Sequence, residues 1–285
     1  MSTDIAPGAL KGRTLLISGG SRGIGQAIAV AAARLGANVT VLAKTDRPHP
    51  TLPGTVHTAV EAIEEAGGRG LAVVGDVRDE ESVAEAVRRT VEVFGAIDIC
   101  VNNASALALQ SSEDLPVKKF DLMQQIQLRG TFLLTRAALP YLRRSGSAHI
   151  LSLAPPLNLS PKWLGAHPAY TTAKYGMTLL TLGWAAEYAQ AGVRANTLWP
   201  ESTIATSAVR NLLGGEAAMR KARDPQIMAD AAVRVLTASP APTGRTFLDV
   251  EVLREAGTAD LSGYGAPDGI EYDIFVDEPT SRRVD

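Results

Sequence analysis

Apolar and polar positions along this chain follow two rhythms. Short apolar runs of the kind that form strands buried on both faces recur at 15–17, 37–43, 71–75, 97–101, 149–153, 194–200 and 247–252. Between them lie helical stripes. Ile28, Ala31, Ala32 and Leu35 share one face of 26–35, and Val60 and Ile63 point inward from 56–66 while Glu61, Glu64 and Glu65 point outward. Asp79 or Ser82 can cap a helix that carries Val83, Ala86, Val87, Val91 and Phe94 on one side. Longer helices are predicted over 116–142 and 168–191. Strands alternating with helices at this spacing predict an α/β fold: one doubly wound parallel sheet of about seven strands with helices on both faces. There is no internal repeat and no domain boundary, so 1–285 reads as a single domain with an N-terminal arm over 1–10. Residues 200–225 read as a mobile helical lobe over the cleft. The acidic tail, 258–285, reads as partly disordered or packed on a neighbouring subunit.

Composition narrows the function classes. A formal net charge of −2 gives no reason to expect nucleic acid or an anionic membrane as partner. The one cysteine, Cys100, falls inside an apolar run and reads as a buried inert thiol, which suits a reducing compartment. No apolar stretch is long enough to span a membrane, and neither terminus carries a targeting pattern, so a cytoplasmic protein is expected. The four histidines show no metal-ligand spacing.

Two stretches carry chemistry. Ser18-Gly19-Gly20-Ser21-Arg22-Gly23-Ile24-Gly25 sits between the first strand and the first helix. In that context glycines let the backbone approach a pyrophosphate, and the helix start offers unpaired N–H groups. A glycine pattern alone would also serve as an ordinary strand-to-helix turn. The second stretch, Tyr170-Thr171-Thr172-Ala173-Lys174, places a phenol and an ammonium four residues apart on one helix face. A nearby ammonium pulls a phenol's pKa down towards the working range of an acid–base catalyst.

These two stretches, with Asp76-Val77 after the third strand and Asn102-Asn103-Ala104-Ser105 after the fourth, occur in the order of one superfamily. Over roughly 11–255 the chain resembles the short-chain dehydrogenases/reductases, which have a Rossmann-type sheet. AKTDRPHPTLPGT, NNASAL, HILSLAPPLNLSP, AYTTAKYGMT and LWPESTIATSA look like the hydroxysteroid dehydrogenase-like protein 2 branch. Longer members of that branch append a sterol-carrier domain, and no stretch here resembles one. The resemblance implies that Gly19, Ser21, Arg22, Gly23, Ile24 and Gly25 hold the pyrophosphate end of a nicotinamide dinucleotide. Asp76 and Val77 would meet the adenine, Asn103 and Ala104 would line the cleft, and Ile204 and Thr206 would lie near the carboxamide. Tyr170 would exchange the proton, and Lys174 would hold the ribose and tune Tyr170. The second strand ends in Ala43-Lys44-Thr45 rather than an acid, so Lys44 and Arg22 point to NADP(H).

Two positions depart from the superfamily pattern. Gln127 stands where an active-site Asn is usual, and Leu153-Ala154-Pro155-Pro156 lacks the Ser that polarises the carbonyl, with Ser152, Asn158 and Ser160 as neighbours. Trp163, Leu164, Trp199 and 204–213 would form an apolar substrate pocket. The expected function is an NADP(H)-dependent oxidoreductase interconverting a carbonyl and an alcohol on an apolar small molecule. The alternative is a catalytically weakened nucleotide-binding sensor or partner protein. Relatives pair the two long helices across a two-fold axis, so a homodimer or homotetramer is expected.

Overall fold

The apolar runs become seven strands: β1 (Thr14–Ser18), β2 (Asn38–Ala43), β3 (Arg69–Val74), β4 (Ile99–Asn102), β5 (His149–Ser152), β6 (Arg194–Trp199) and β7 (Thr246–Leu248). The structure, a computed structural model, describes residues 5–49 and 53–278. The strands pair in parallel in the order β3-β2-β1-β4-β5-β6-β7, which is the expected doubly wound sheet. β1, β4 and β5 are buried along their whole lengths. Their side chains alternate between the two faces, as the pleat requires. Leu15, Ile17, Ile99 and Val101 join one core and Leu16 and Cys100 the other.

Helices cover both faces. α1 (Gly23–Arg34), α2 (Val56–Glu65) and α3 (Glu80–Phe94) follow the first three strands. α4 (Val117–Met123), a π-helical turn (Gln124–Arg129) and α5 (Gly130–Leu142) form the first long helical run. Then come α6 (Pro161–Ala166), α7 (Pro168–Glu187), α8 (Gly215–Arg220), α9 (Gln226–Thr237) and α10 (Asp249–Glu255). Ile28 of α1, Ile63 of α2, Met228 of α9 and Leu253 of α10 pack on one side of the sheet. Val87 of α3, Leu134 of α5 and Trp184 of α7 pack on the other. Asp79 caps α3 by accepting from the Ser82 amide at 3.0 Å, as its position predicts. Gly67, at φ +91°, ends α2 with its amide bonded to Glu64 O.

Three segments differ from the expectation. The seventh strand stops at Leu248, because Val250 and Leu253 bury with helical spacing against α9 rather than alternating. α9 was not among the expected elements, although Gln226, Asp230 and Arg234 recur four apart on its polar face and apolar residues fill the rest. The tail is the largest difference. Over 258–278 it is ordered against its own chain, through bridges between Ser202 and Tyr272 and between Arg223 and Gly265. Residues 200–225 are joined to it there, with Arg220 paired to Asp268 at 2.5 Å.

Candidate active site

The strand order reverses direction between β1 and β4, and in such sheets the crevice opens at that point, beyond the carboxyl ends of the strands. A cavity of about 690 Å³ lies there. The residues expected to hold the cofactor and carry the proton line it, from Gly19, Ser21, Arg22, Gly23, Ile24 and Gly25 through Lys44, Asp76, Val77, Asn103 and Ala104 to Tyr170, Lys174, Ile204 and Thr206.

The glycine loop has physical reasons for its composition. Gly19 and Gly23 sit at φ +69° and +56°, where a side chain is strained. A Cβ on Gly25 would lie 2.6 Å from Gly19 O and closer still to the Asn103 amide. That amide ties β4 to the loop, donating to Ser18 O at 3.1 Å and Gly19 O at 2.9 Å. α1 starts with no side-chain cap and no acid in its first turn, so its leading amides face the cavity uncompensated.

At the far end, Arg22 donates to Thr45 Oγ1, Pro53 O and Gly54 O, so its guanidinium pins the loop after β2 while lining the cavity. Lys44 is 58% exposed and lies 3.7 Å from Asp76. Burial pushes the Asp76 carboxyl up, but hydrogen bonds from Arg78 and the Lys44 charge outweigh it and hold the group below its ordinary range.

Tyr170 and Lys174, one turn apart on α7, are 6% and 3% exposed. Lys174 Nζ donates to Leu153 O at 2.9 Å and lies 5.0 Å from the Trp199 ring centroid. Burial lowers the Lys174 pKa and the Asp273 carboxylate pushes it back up. The Tyr170 pKa is raised by burial first and by the Asp273 charge second, with the Ser105 hydroxyl acting the other way. The ammonium is engaged by Leu153 O, so desolvation governs the phenol.

The altered positions resolve as follows. Gln127, fully buried in the π turn, accepts from the Ala106 amide at 3.1 Å and braces the loop after β4 from beneath. Ser152 bonds to Asn102 and Thr181 inside the scaffold. Asn158 is held by Tyr175, Phe275 and Asp277, and neither it nor Ser160 lines the cavity. Trp163 and Leu164 also lie outside it. Trp163 stands 6.1 Å from Phe275 and Leu164 is exposed, whereas Trp199, Ala208, Val209 and Leu212 do line the wall. Ser105, Leu107, Asp273 and Ile274 complete that wall. Asp273 and Ile274 had no sequence signal beyond an aromatic pair in an acidic tail. Cys100 is buried in β4, its thiol pushed up to about 12 by burial, and among the described residues no group of His, Cys, Asp and Glu could hold a metal.

Comparison with known proteins agrees with this arrangement. Residues 13–216 match the short chain dehydrogenase family. Hydroxysteroid dehydrogenase-like protein 2 of Xenopus tropicalis is 48% identical over 95% of this chain, and that of Homo sapiens 45% identical over the same share. The chain spans 65% of the length of both. A short chain dehydrogenase structure from Mycobacterium thermoresistibile is 53% identical, covers 95% of this chain and 97% of its own, and superposes with a TM-score of 0.89. The NADH-dependent reductase A1-R′ complexed with NAD is 25% identical, covers 85% of this chain and 96% of its own, with a TM-score of 0.67. The doubly wound sheet, the glycine loop at its switch point and the tyrosine–lysine turn facing the same cleft thus have one explanation: the chain belongs to the short chain dehydrogenase family.

Proposed function

We propose that this chain is an NADP(H)-dependent oxidoreductase that interconverts a carbonyl and an alcohol on an apolar small molecule. The observation that carries the reading is one cavity lined both by the glycine loop and by buried Tyr170 and Lys174. The residues present fit a dinucleotide. Gly19 to Gly25 and the open amides of α1 suit a pyrophosphate, Asp76 and Val77 an adenine, Arg22 and Lys44 a 2′-phosphate, and Ile204 and Thr206 a carboxamide. When bound, the nicotinamide supplies the hydride exchange.

The chain's own residues handle the proton and the substrate. Tyr170 donates its proton to a carbonyl oxygen as charge develops there, working against the burial that raises its pKa. Ser105, which lines the same cavity as Tyr170, supplies the second donor that 153–156 lacks. Lys174 holds positive charge beside Tyr170 and faces the ribose. Leu107, Trp199, Val209, Leu212 and Ile274 give the mouth its apolar wall and exclude water. The same reading keeps the protein in the cytoplasm and pairs two chains through α5 and α7, where Phe132 and Leu179 are exposed.

A screen of ketones, aldehydes and alcohols with NADPH tests the activity. Tyr170→Phe is expected to bind NADPH as wild type does and to lose at least ~100-fold in turnover. A variant as active as wild type overturns the assignment, and NADH binding as tightly as NADPH overturns the cofactor choice. A weakened nucleotide-binding protein is the second reading, favoured by the withdrawal of Ser152, Asn158 and Ser160 from the cleft. It predicts tight NADPH binding with no substrate turned over.

A further inference from the structure

The tail supplies a stretch of cavity wall that the proton and hydride chemistry does not use. Residues 271–276 lie along 201–203: the Thr203 amide donates to Glu271 O at 2.9 Å and the Asp273 amide to Glu201 O at 3.0 Å. Trp199 Nε1 donates to Ile274 O at 2.9 Å, and the Val276 amide closes a turn onto Asp273 O at 3.1 Å. Phe275 occupies the third position of that turn at φ +75°, a conformation that favours glycine and strains a bulky residue. The burial of its ring holds it there, stacked 6.1 Å from Tyr170 and 5.0 Å from Tyr175. Beyond it, Asp277 accepts from Asn158 Nδ2 at 2.7 Å and from Trp163 Nε1 at 2.9 Å. Asp273 is thus anchored on both sides, and it lines the cavity.

Among the described residues two carboxylates line that cavity. Asp76 stands at the adenine end and is paired with Arg78 and Lys44. Asp273 stands at the other end, where its neighbours Ile274 and Phe275 meet Trp199 and Tyr170. No other described side chain gives its carboxylate a hydrogen bond or an ion pair, and the Lys174 ammonium is engaged by Leu153 O. A carboxylate in a largely apolar wall is costly until a donor meets it.

We propose that Asp273 is a specificity-determining residue that accepts a hydrogen bond from a second donor on the substrate, a hydroxyl or an ammonium set apart from the reacting carbon. The inference rests on the reading of this cavity as the place where an apolar alcohol or carbonyl meets Tyr170. The substrate is then amphipathic. Its hydrocarbon body packs on Trp199 and Leu212 while its second polar group faces the tail. A fixed carboxylate discriminates against ligands that lack the donor, because they leave it buried and unpaired.

The test measures binding with NADPH present, so that an alcohol is held unreacted. The probes are cyclohexanol, its positional diols, their monomethyl ethers and the matching aminocyclohexanols. Affinities are read by ligand-observed NMR at about pH 8.5, above the value of about 7 to which burial lifts the Asp273 pKa. At least one diol or amino alcohol is expected to bind wild type ~10-fold or more tighter than cyclohexanol and the matching ether. Asp273→Ala is expected to erase that preference, with retained NADPH binding as the sign of an intact fold. Asp273→Asn separates the two donors: a hydroxyl preference survives in part, because the amide oxygen still accepts, and an ammonium preference is lost. No preference in wild type, or the same preference in Asp273→Ala, overturns the proposal. If Asp273→Ala does not fold, Asp273→Asn and the ethers decide, and either an undiminished preference or an ether bound as tightly as its diol overturns it. Turnover of plain ketones with no such preference sinks this assignment and leaves the oxidoreductase reading standing. A preference that depends on Asp273 in a protein that turns nothing over does the reverse.

Discussion

A phenol taken out of water holds its proton more tightly, and Tyr170 is such a group. Its usefulness as a donor then depends on what steadies the substrate oxygen beside it. Ser105 is the hydroxyl within reach, so Ser105→Ala is expected to cost on the order of tenfold to a thousandfold in kcat with little change in KM, read by steady-state kinetics on any substrate the screen yields. The residues around this step differ in how legible they were. Gly19, Gly25, Tyr170 and Lys174 announce themselves, because backbone approach and helical spacing restrict which residue types can stand there. Gln127 was legible as a departure, yet its job as a brace under Ala106 depends on a π turn that no local pattern marks. Asp273 was not legible, because it reaches the cavity wall through a tail laid along 201–203, a pairing that no local pattern marks.

At the scale of elements, short buried strands and amphipathic helices were readable because burial imposes a period on each. α10 was misread because Asp249-Val250-Glu251-Val252, directly after β7, alternates polar and apolar as a strand would. α7 bears on assembly. Leu179 is 58% exposed and lies with Leu128, Leu180 and Trp184 along a shallow groove of about 420 Å³. An apolar groove of this kind on a long helix suits a symmetric partner. Leu179→Glu is expected to convert a dimer or tetramer into a 30 kDa particle in light scattering at micromolar concentration, without disturbing NADPH binding. Wild type already scattering as a monomer would sink the pairing.

For the whole molecule, pH acts through a group far from the cleft. His149 is buried in β5, its pKa lowered to about 3 by burial first and by the charges of Arg194 and Arg13 after that. Asn196 also donates its amide to Pro242 O and accepts from the Arg245 amide, so the same nitrogen donates to His149 Nε2 and the ring is neutral. A folded-state pKa below the unfolded value of about 6.5 gives stability that is present above pH 6.5 and is lost as pH falls from there towards 3. His149→Gln keeps an acceptor and removes the titration. In urea unfolding, the stability advantage of wild type over this variant is expected to shrink steadily between pH 7 and pH 4. A constant difference would show that His149 is not held neutral.

The tail's path also has a consequence for synthesis. Phe275 closes over Tyr170, Tyr175, Trp163 and Trp199, yet it leaves the ribosome long after all four. At about 5–20 residues per second, roughly 5–20 s separate Lys174 from Asp273. Throughout that interval the nascent chain carries an open aromatic trough where the finished protein has a wall. The sheet can pair and the glycine loop can form, but the cleft acquires its carboxylate and its cover only once 273–275 have emerged, so the nascent chain is sticky at the very place where the folded one is selective.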